Sequence, residues 1–186
     1  MTAMAALSRK WRAALGKFAA VALTLVMMDA GSQAQTAAGA AGSAATLRGL
    51  AGSWTGDGTI SMSSGSTERI RCRANYQIGA GDPSGGSQQT MLQSLVCASD
   101  SYRFEIKTRV SRTNKRLTGN WTESTRNISG NLIGRITNGR IDATVAGGAF
   151  TAAISIMPSG KRQAVNIRPS SGDVAKVTIT LTKSGS

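Results

Sequence analysis

The chain has 186 residues, no histidine, two cysteines and a net charge of +13 from 22 basic and nine acidic side chains. Without histidine, Ser-His-Asp and Cys-His catalysis, His-ligated zinc and His-held haem are all excluded. The carboxylates show neither clustered metal-loop spacing nor a facing pair of the kind a glycosidase needs, so a non-enzymatic protein with no cofactor and no metal is expected.

The first residues follow the plan of a signal peptide. Arg9, Lys10, Arg12 and Lys17 precede an apolar run from Phe18 to Met28, and Ser32-Gln33-Ala34 supplies a small-x-small cleavage site. The apolar run is shorter than the roughly 20 residues a membrane span requires, and no second run follows. Cleavage after Ala34 removes four basic residues and one acidic one, leaving 18 and eight, a net charge of +10 on the mature chain. The expected location is the periplasmic or secreted space of a bacterium. Residues 35–46 are almost all Ala, Gly, Ser and Thr and are expected to form a flexible leader. A single domain is expected over 47–183.

Within that domain short segments of alternating apolar and polar residues follow one another through Gly-rich turns, with no helical stretch between them. The first, 54–62, sets Trp54, Gly56, Gly58, Ile60 and Met62 on one side and Thr55, Asp57, Thr59 and Ser61 on the other. The next two, 68–78 and 88–98, flank a turn-rich stretch from Gly79 to Ser87. A hairpin centred between Ser84 and Gly85 places Cys72 opposite Cys97, Tyr76 opposite Gln93 and Ile78 opposite Met91. Directly opposed residues can be bridged, and an exported pair lacking a C-x-x-C spacing is expected to form a structural disulfide rather than a redox or metal site. Closing that loop stabilises the fold by roughly 3.5 kcal/mol on chain-entropy grounds.

Strands over 101–110 and 116–124 continue the alternation, with Tyr102, Phe104, Leu117 and Trp121 on the apolar side. Asn138-Gly139 is a strong type I′ hairpin signal and sets Ile136 against Ile141. Gly147-Gly148 is expected to make a second two-residue turn, with Val145 opposite Phe150, Ala143 opposite Ala152 and Ile141 opposite Ile154. Both turns select one inward face. Strands over 162–168 and 174–183 complete a set of ten. An all-β antiparallel up-and-down meander can close as a barrel or fold over as a β-sandwich; closure removes both exposed edges and suits a chain without long crossovers, so the barrel is expected. Inward Gly56, Gly58, Gly119, Gly134, Ala143 and Ala152 then either let the sheet bend and its walls approach, or leave a cavity.

The segment Leu50-Ala51-Gly52-Ser53-Trp54 resembles the G-x-W signature that opens the first strand of lipocalins and other calycin barrels, including avidin-like and fatty-acid-binding proteins. The resemblance rests on this motif together with strand count and topology; the second and third signature segments of the family have no counterpart. It implies a ligand-binding barrel with Trp54 closing one end beneath a basic residue from a late strand, for which Arg168 and Lys183 are the candidates. The chain is also similar to small exported bacterial proteins.

Two binding functions fit such a barrel. In one, Trp54, Tyr76, Tyr102, Phe104, Trp121 and Phe150 surround an interior cavity that carries a small apolar or amphipathic ligand. In the other, the outer face docks on anionic envelope polysaccharide, lipid headgroups or nucleic acid through two basic rows, Arg69, Arg71 and Arg73 on one strand and Arg103, Lys107 and Arg109 on another. Few aromatics interleave with these charges, which argues against base stacking on a single strand. Glu123 shares the inward parity of Trp121 and Leu117, and is either an acid at the barrel mouth or an ion-pair partner of Arg126. Asn120-Trp121-Thr122 and Asn127-Ile128-Ser129 match the glycosylation sequon, a coincidence for a bacterial export product.

Overall fold

The structure, a computed structural model, describes residues 46–80 and 88–185. The expected signal peptide, nearly all of the expected leader and the tip of the first long hairpin lie outside these residues. Ten antiparallel strands follow in chain order: β1 (Gly52–Met62), β2 (Thr67–Ala80), β3 (Gln88–Ala98), β4 (Arg103–Thr113), β5 (Arg116–Glu123), β6 (Ile128–Thr137), β7 (Arg140–Gly147), β8 (Phe150–Ser159), β9 (Arg162–Pro169) and β10 (Val174–Lys183). Each strand pairs with its neighbours in sequence, and β1 also pairs with β10, so the sheet is a closed barrel. The sandwich alternative is set aside.

The β2–β3 hairpin has the expected register, with Cys72 opposite Cys97, Tyr76 opposite Gln93 and Ile78 opposite Met91. Cys72 and Cys97 are joined by a buried disulfide with 4.2 Å between their Cα atoms. Asn138 and Gly139 both hold positive φ, as a type I′ turn requires, and Ile136 faces Ile141.

The β7–β8 register differs from expectation by two residues. Val145 faces Ala152, Ala143 faces Ile154 and Ile141 faces Ile156. The turn residues are Gly148 and Ala149, with Gly148 at φ +57°, the position where a type II′ turn takes glycine. Gly147 instead ends β7, paired with Phe150, where a Cβ would collide with the carbonyl of Ser129 on β6, so the position admits only glycine. A slip of two preserves side-chain parity, so the inward face is the expected one despite the wrong turn.

Short glycine segments answer the question about small inward residues. A Cβ on Gly56 would strike the carbonyl of Thr180 on β10, and one on Gly119 would strike that of Arg109 on β4. These positions are where neighbouring strands approach closely and the sheet curls. Ala143, by contrast, lines an interior cavity. Both explanations therefore hold, at different residues.

One element was not foreseen. Residues 46–50 form a short helical turn that inserts Leu47 and Leu50, both fully buried, into one end of the barrel. This end, the floor, also carries the β4–β5, β6–β7 and β8–β9 turns; the opposite end, the mouth, carries the connections after β1, β3, β5, β7 and β9. The Trp54 indole donates to the Leu50 carbonyl at 2.7 Å. Lys183, opposite Trp54 in the sheet, places its ammonium 5.6 Å from the indole centroid and donates to the Gly49 carbonyl at 3.3 Å. Lys183 is thus the late-strand basic residue over the tryptophan, and Arg168 sits exposed on the outer wall.

Candidate functional site: the barrel cavity

Inward alternation on ten strands gives a barrel wider than its side chains fill, and a cavity of about 340 Å³ remains between floor and mouth. Its far wall, on β6 to β10, is aliphatic, with Leu132, Val145, Ile156, Val165, Ile167 and Val177 among the lining residues. At the floor Tyr76 packs edge-on to Trp54, with centroids 6.5 Å apart and planes at 83°. Its hydroxyl donates to Gln163 Oε1 at 3.2 Å. Burial raises the Tyr76 pKa further than that hydrogen bond lowers it, so the phenol stays neutral. Near the mouth Trp121 and Phe150 meet edge to face at 5.5 Å, and Tyr102 and Phe104 complete the aromatic rim.

Of the six residues expected to hold an apolar ligand, Tyr76, Tyr102, Phe104, Trp121 and Phe150 line the cavity. Trp54 does not; it is spent on the floor, where its N–H bonds to the helical turn and its ring supports Tyr76. Gln93 and Thr108 line the cavity and were not singled out from sequence, although the hairpin register that set Gln93 beside Tyr76 was sufficient to place the first of them.

Glu123 also borders the cavity, but its carboxylate is committed. Oε1 accepts the backbone N–H groups of Glu105 and Thr125, each at 3.0 Å, and Oε2 accepts that of Arg126 at 2.7 Å. The Arg126 guanidinium lies 3.7 Å away. Burial pushes the Glu123 pKa up, and these donors outweigh it and hold the group below the usual carboxylate range. Of the two expected readings the ion pair with Arg126 is the one the structure shows, and Glu123 in addition anchors the β5–β6 connection. Arg112, buried near the floor, donates from Nε to Gln89 Oε1 at 3.0 Å and from a terminal nitrogen to the Asn114 carbonyl at 2.6 Å. Burial and the nearby Arg48 lower its pKa.

The basic rows lie where alternation put them. Arg69, Arg71 and Arg73 are exposed on β2 and Arg103, Lys107 and Arg109 on β4, with β3 between them, so the rows are about 10 Å apart on one outer wall. Lys107 pairs with Glu105 at 3.6 Å. A second, concave basic surface was not anticipated. On the outer side of β5 to β9 a groove of about 540 Å³ is bordered by Arg116, Arg135, Arg140 and Arg168 around exposed Ile133. Arg140 is tied to Asp142 at 2.8 Å, whereas Arg116 and Arg135 face each other across the β5–β6 pair.

The same architecture occurs in solved structures. Rv2717c from M. tuberculosis superimposes with a TM-score of 0.57 at 12% identity, covering 77% of this chain and 98% of that one. An S-type phycobiliprotein lyase, CPES from Guillardia theta, superimposes with a TM-score of 0.50 at 12% identity, covering 75% and 91%. The fold is a lipocalin-like calycin barrel. Neither a family model nor a curated protein matches the sequence. Within the lipocalin-like frame the G-x-W segment is accounted for by the contacts of Trp54 with the helical turn and Lys183. A buried disulfide fits an exported protein, and no helix among the described residues is long and apolar enough to cross a membrane.

Proposed function

We propose that this lipocalin-like barrel is an exported, non-enzymatic protein that carries a small apolar or amphipathic ligand in its interior. The observation that carries the proposal is the cavity of about 340 Å³, aliphatic on one wall and rimmed by Tyr102, Phe104, Trp121 and Phe150. A volume of that order accommodates a small molecule, and apolar lining supplies its affinity. A phycobiliprotein lyase shares the fold, so the fold alone does not separate carrier from enzyme. The side chains favour the carrier: the sequence has no histidine, and Glu123 is occupied by three backbone donors. The test is titration with the neutral fluorophore N-phenyl-naphthylamine. Saturable binding at one site is expected, weakened about tenfold, or ~1.4 kcal/mol, by Ala143→Leu, which extends a side chain into the cavity. Absent or non-saturable binding to a folded protein overturns the proposal.

A second reading, docking on an anionic envelope polymer or lipid headgroup, is favoured by the groove in which Arg116 and Arg135 face each other. Directly opposed like charges destabilise a sheet and an anion between them relieves that cost. Such binding weakens steeply with salt, and Arg116→Glu with Arg135→Glu removes it while Arg71→Glu with Arg73→Glu does not; the converse pattern assigns it to the β2 row.

A further inference from the structure

The cavity has one polar wall. Tyr76, Gln93, Thr108 and Trp121 are successive cross-strand partners on β2, β3, β4 and β5, and all four line the cavity. Because barrel strands tilt, a row of partners climbs obliquely along the barrel. This one starts at the floor, where Tyr76 meets Trp54, and ends near the mouth, where Trp121 meets Phe150. Three steps of about 4.8 Å make it roughly 14 Å long. At its upper end the Trp121 indole N–H is buried with no hydrogen-bond partner among the described residues, in a side chain only 5% exposed. An indole nitrogen can only donate, and a buried donor left unpaired costs about 1–3 kcal/mol. At the lower end the Tyr76 hydroxyl is already satisfied by Gln163.

The charges of the cavity sit elsewhere. Among the described residues that line it Arg126 is the one basic side chain, and it is at the mouth, 3.7 Å from Glu123. Asp173, also at the mouth, is the other lining carboxylate. Beside the row itself the described residues place no cation to receive an anionic headgroup, and an unpaired charge there would be costly.

We infer that the cavity selects a neutral, elongated amphipathic molecule carrying a hydrogen-bond acceptor such as a carbonyl. Its apolar body lies against β6 to β10, and its acceptor takes the Trp121 N–H, with Thr108 and Gln93 offering a hydroxyl and an amide further along the row. This rests on the carrier reading and specifies its ligand class. The cavity thereby discriminates among molecules of equal length, because only the acceptor-bearing one satisfies the buried donor.

The test displaces N-phenyl-naphthylamine with three probes of matched chain length: methyl decyl ketone, dodecane and dodecanoate. The ketone is expected to compete about five- to tenfold better than the alkane, the size of one neutral hydrogen bond, and better than the carboxylate. Trp121→Phe keeps an aromatic ring and deletes the donor, and is expected to bring the ketone-to-alkane ratio to one or below, because a carbonyl buried without a donor is penalised. Thr108→Val, of nearly the same shape, is expected to lower the ratio less, and serves if the Trp121 variant does not fold. Equal affinity for ketone and alkane in the wild type, tighter binding of dodecanoate, or a ratio that survives the substitutions overturns the inference while leaving the carrier function standing. If the fluorophore itself does not bind saturably, the carrier function fails first and this inference with it.

Discussion

Trp54 is expected to hold the barrel floor without touching ligand, and that separates two effects that an aromatic residue near a cavity usually mixes. Its side chain is 1% exposed, bonds to Leu50 at 2.7 Å, meets Tyr76 edge-on and lies under Lys183 at 5.6 Å. Trp54→Phe deletes the N–H bond and part of the cation–π attraction but keeps most of the packing, which amounts to about 1–2 kcal/mol. Trp54→Ala also empties the floor and costs about 3–5 kcal/mol. With a urea slope of about 2 kcal/mol/M, the denaturation midpoint falls by roughly 0.5–1 M for phenylalanine and about 2 M for alanine. Urea unfolding and fluorophore titration on the same samples read the two effects apart. Trp54→Phe is expected to lower the midpoint and leave the dissociation constant within about twofold. If phenylalanine weakens binding as strongly as it weakens stability, Trp54 contacts ligand and the assignment to the floor is wrong. A cycle with Leu47→Ala adds a check: both residues hold the helical turn to the floor, so their losses should fall short of additive, and strict additivity means that the turn is held independently of Trp54.

Two further outcomes follow from buried groups. Glu123 has a lowered pKa in the folded state, so its stabilisation is present above the usual carboxylate value of 4.5 and is lost as pH falls through the lower folded value. Glu123→Gln should therefore destabilise the barrel at neutral pH and converge with the wild type as the pH falls through the lowered folded value, read from urea midpoints along a pH series; a constant gap at all pH values would show that packing, not charge, is what Glu123 contributes. Reduction, or Cys72→Ala with Cys97→Ala, should cost about 3.5 kcal/mol through the freed loop, and a loss under about 1 kcal/mol would mean that the unfolded chain is held together by other contacts.

The fold was legible in the sequence because a barrel is built from local rules. Alternation of period two assigned the inward face, Asn138-Gly139 set one register, and the two cysteines set another. The β7–β8 register was not legible because the chain offers both Gly147 and Gly148 as turn glycines; in the structure Gly148 takes the turn and Gly147 serves the close approach of the Ser129 carbonyl. The helical turn at 46–50 was hidden for a related reason. Five residues are too few for a helical period to show, and what makes them helical is the floor into which Leu47 and Leu50 fit.

For the site the division is similar. Five of the six aromatic residues could be assigned to the interior from parity alone, because parity depends only on each strand. Whether a residue touches empty space or fills it depends on where ten strands meet and what plugs the end, so Trp54 passed from candidate ligand contact to floor only in three dimensions. Glu123 likewise could be placed inward from its strand, but the three backbone donors that commit it come from β4 and from the β5–β6 connection. The polar row is the clearest case: Gln93 and Thr108 are unremarkable in sequence and acquire meaning only through the register of four strands, which sets them between Tyr76 and Trp121. The sequence by itself determined the strands, their inward faces and the disulfide, since those follow from alternation and local turn chemistry. Only the tertiary structure decided the floor, the cavity and its polar wall, since those are properties of side chains brought together across strands by closure of the sheet.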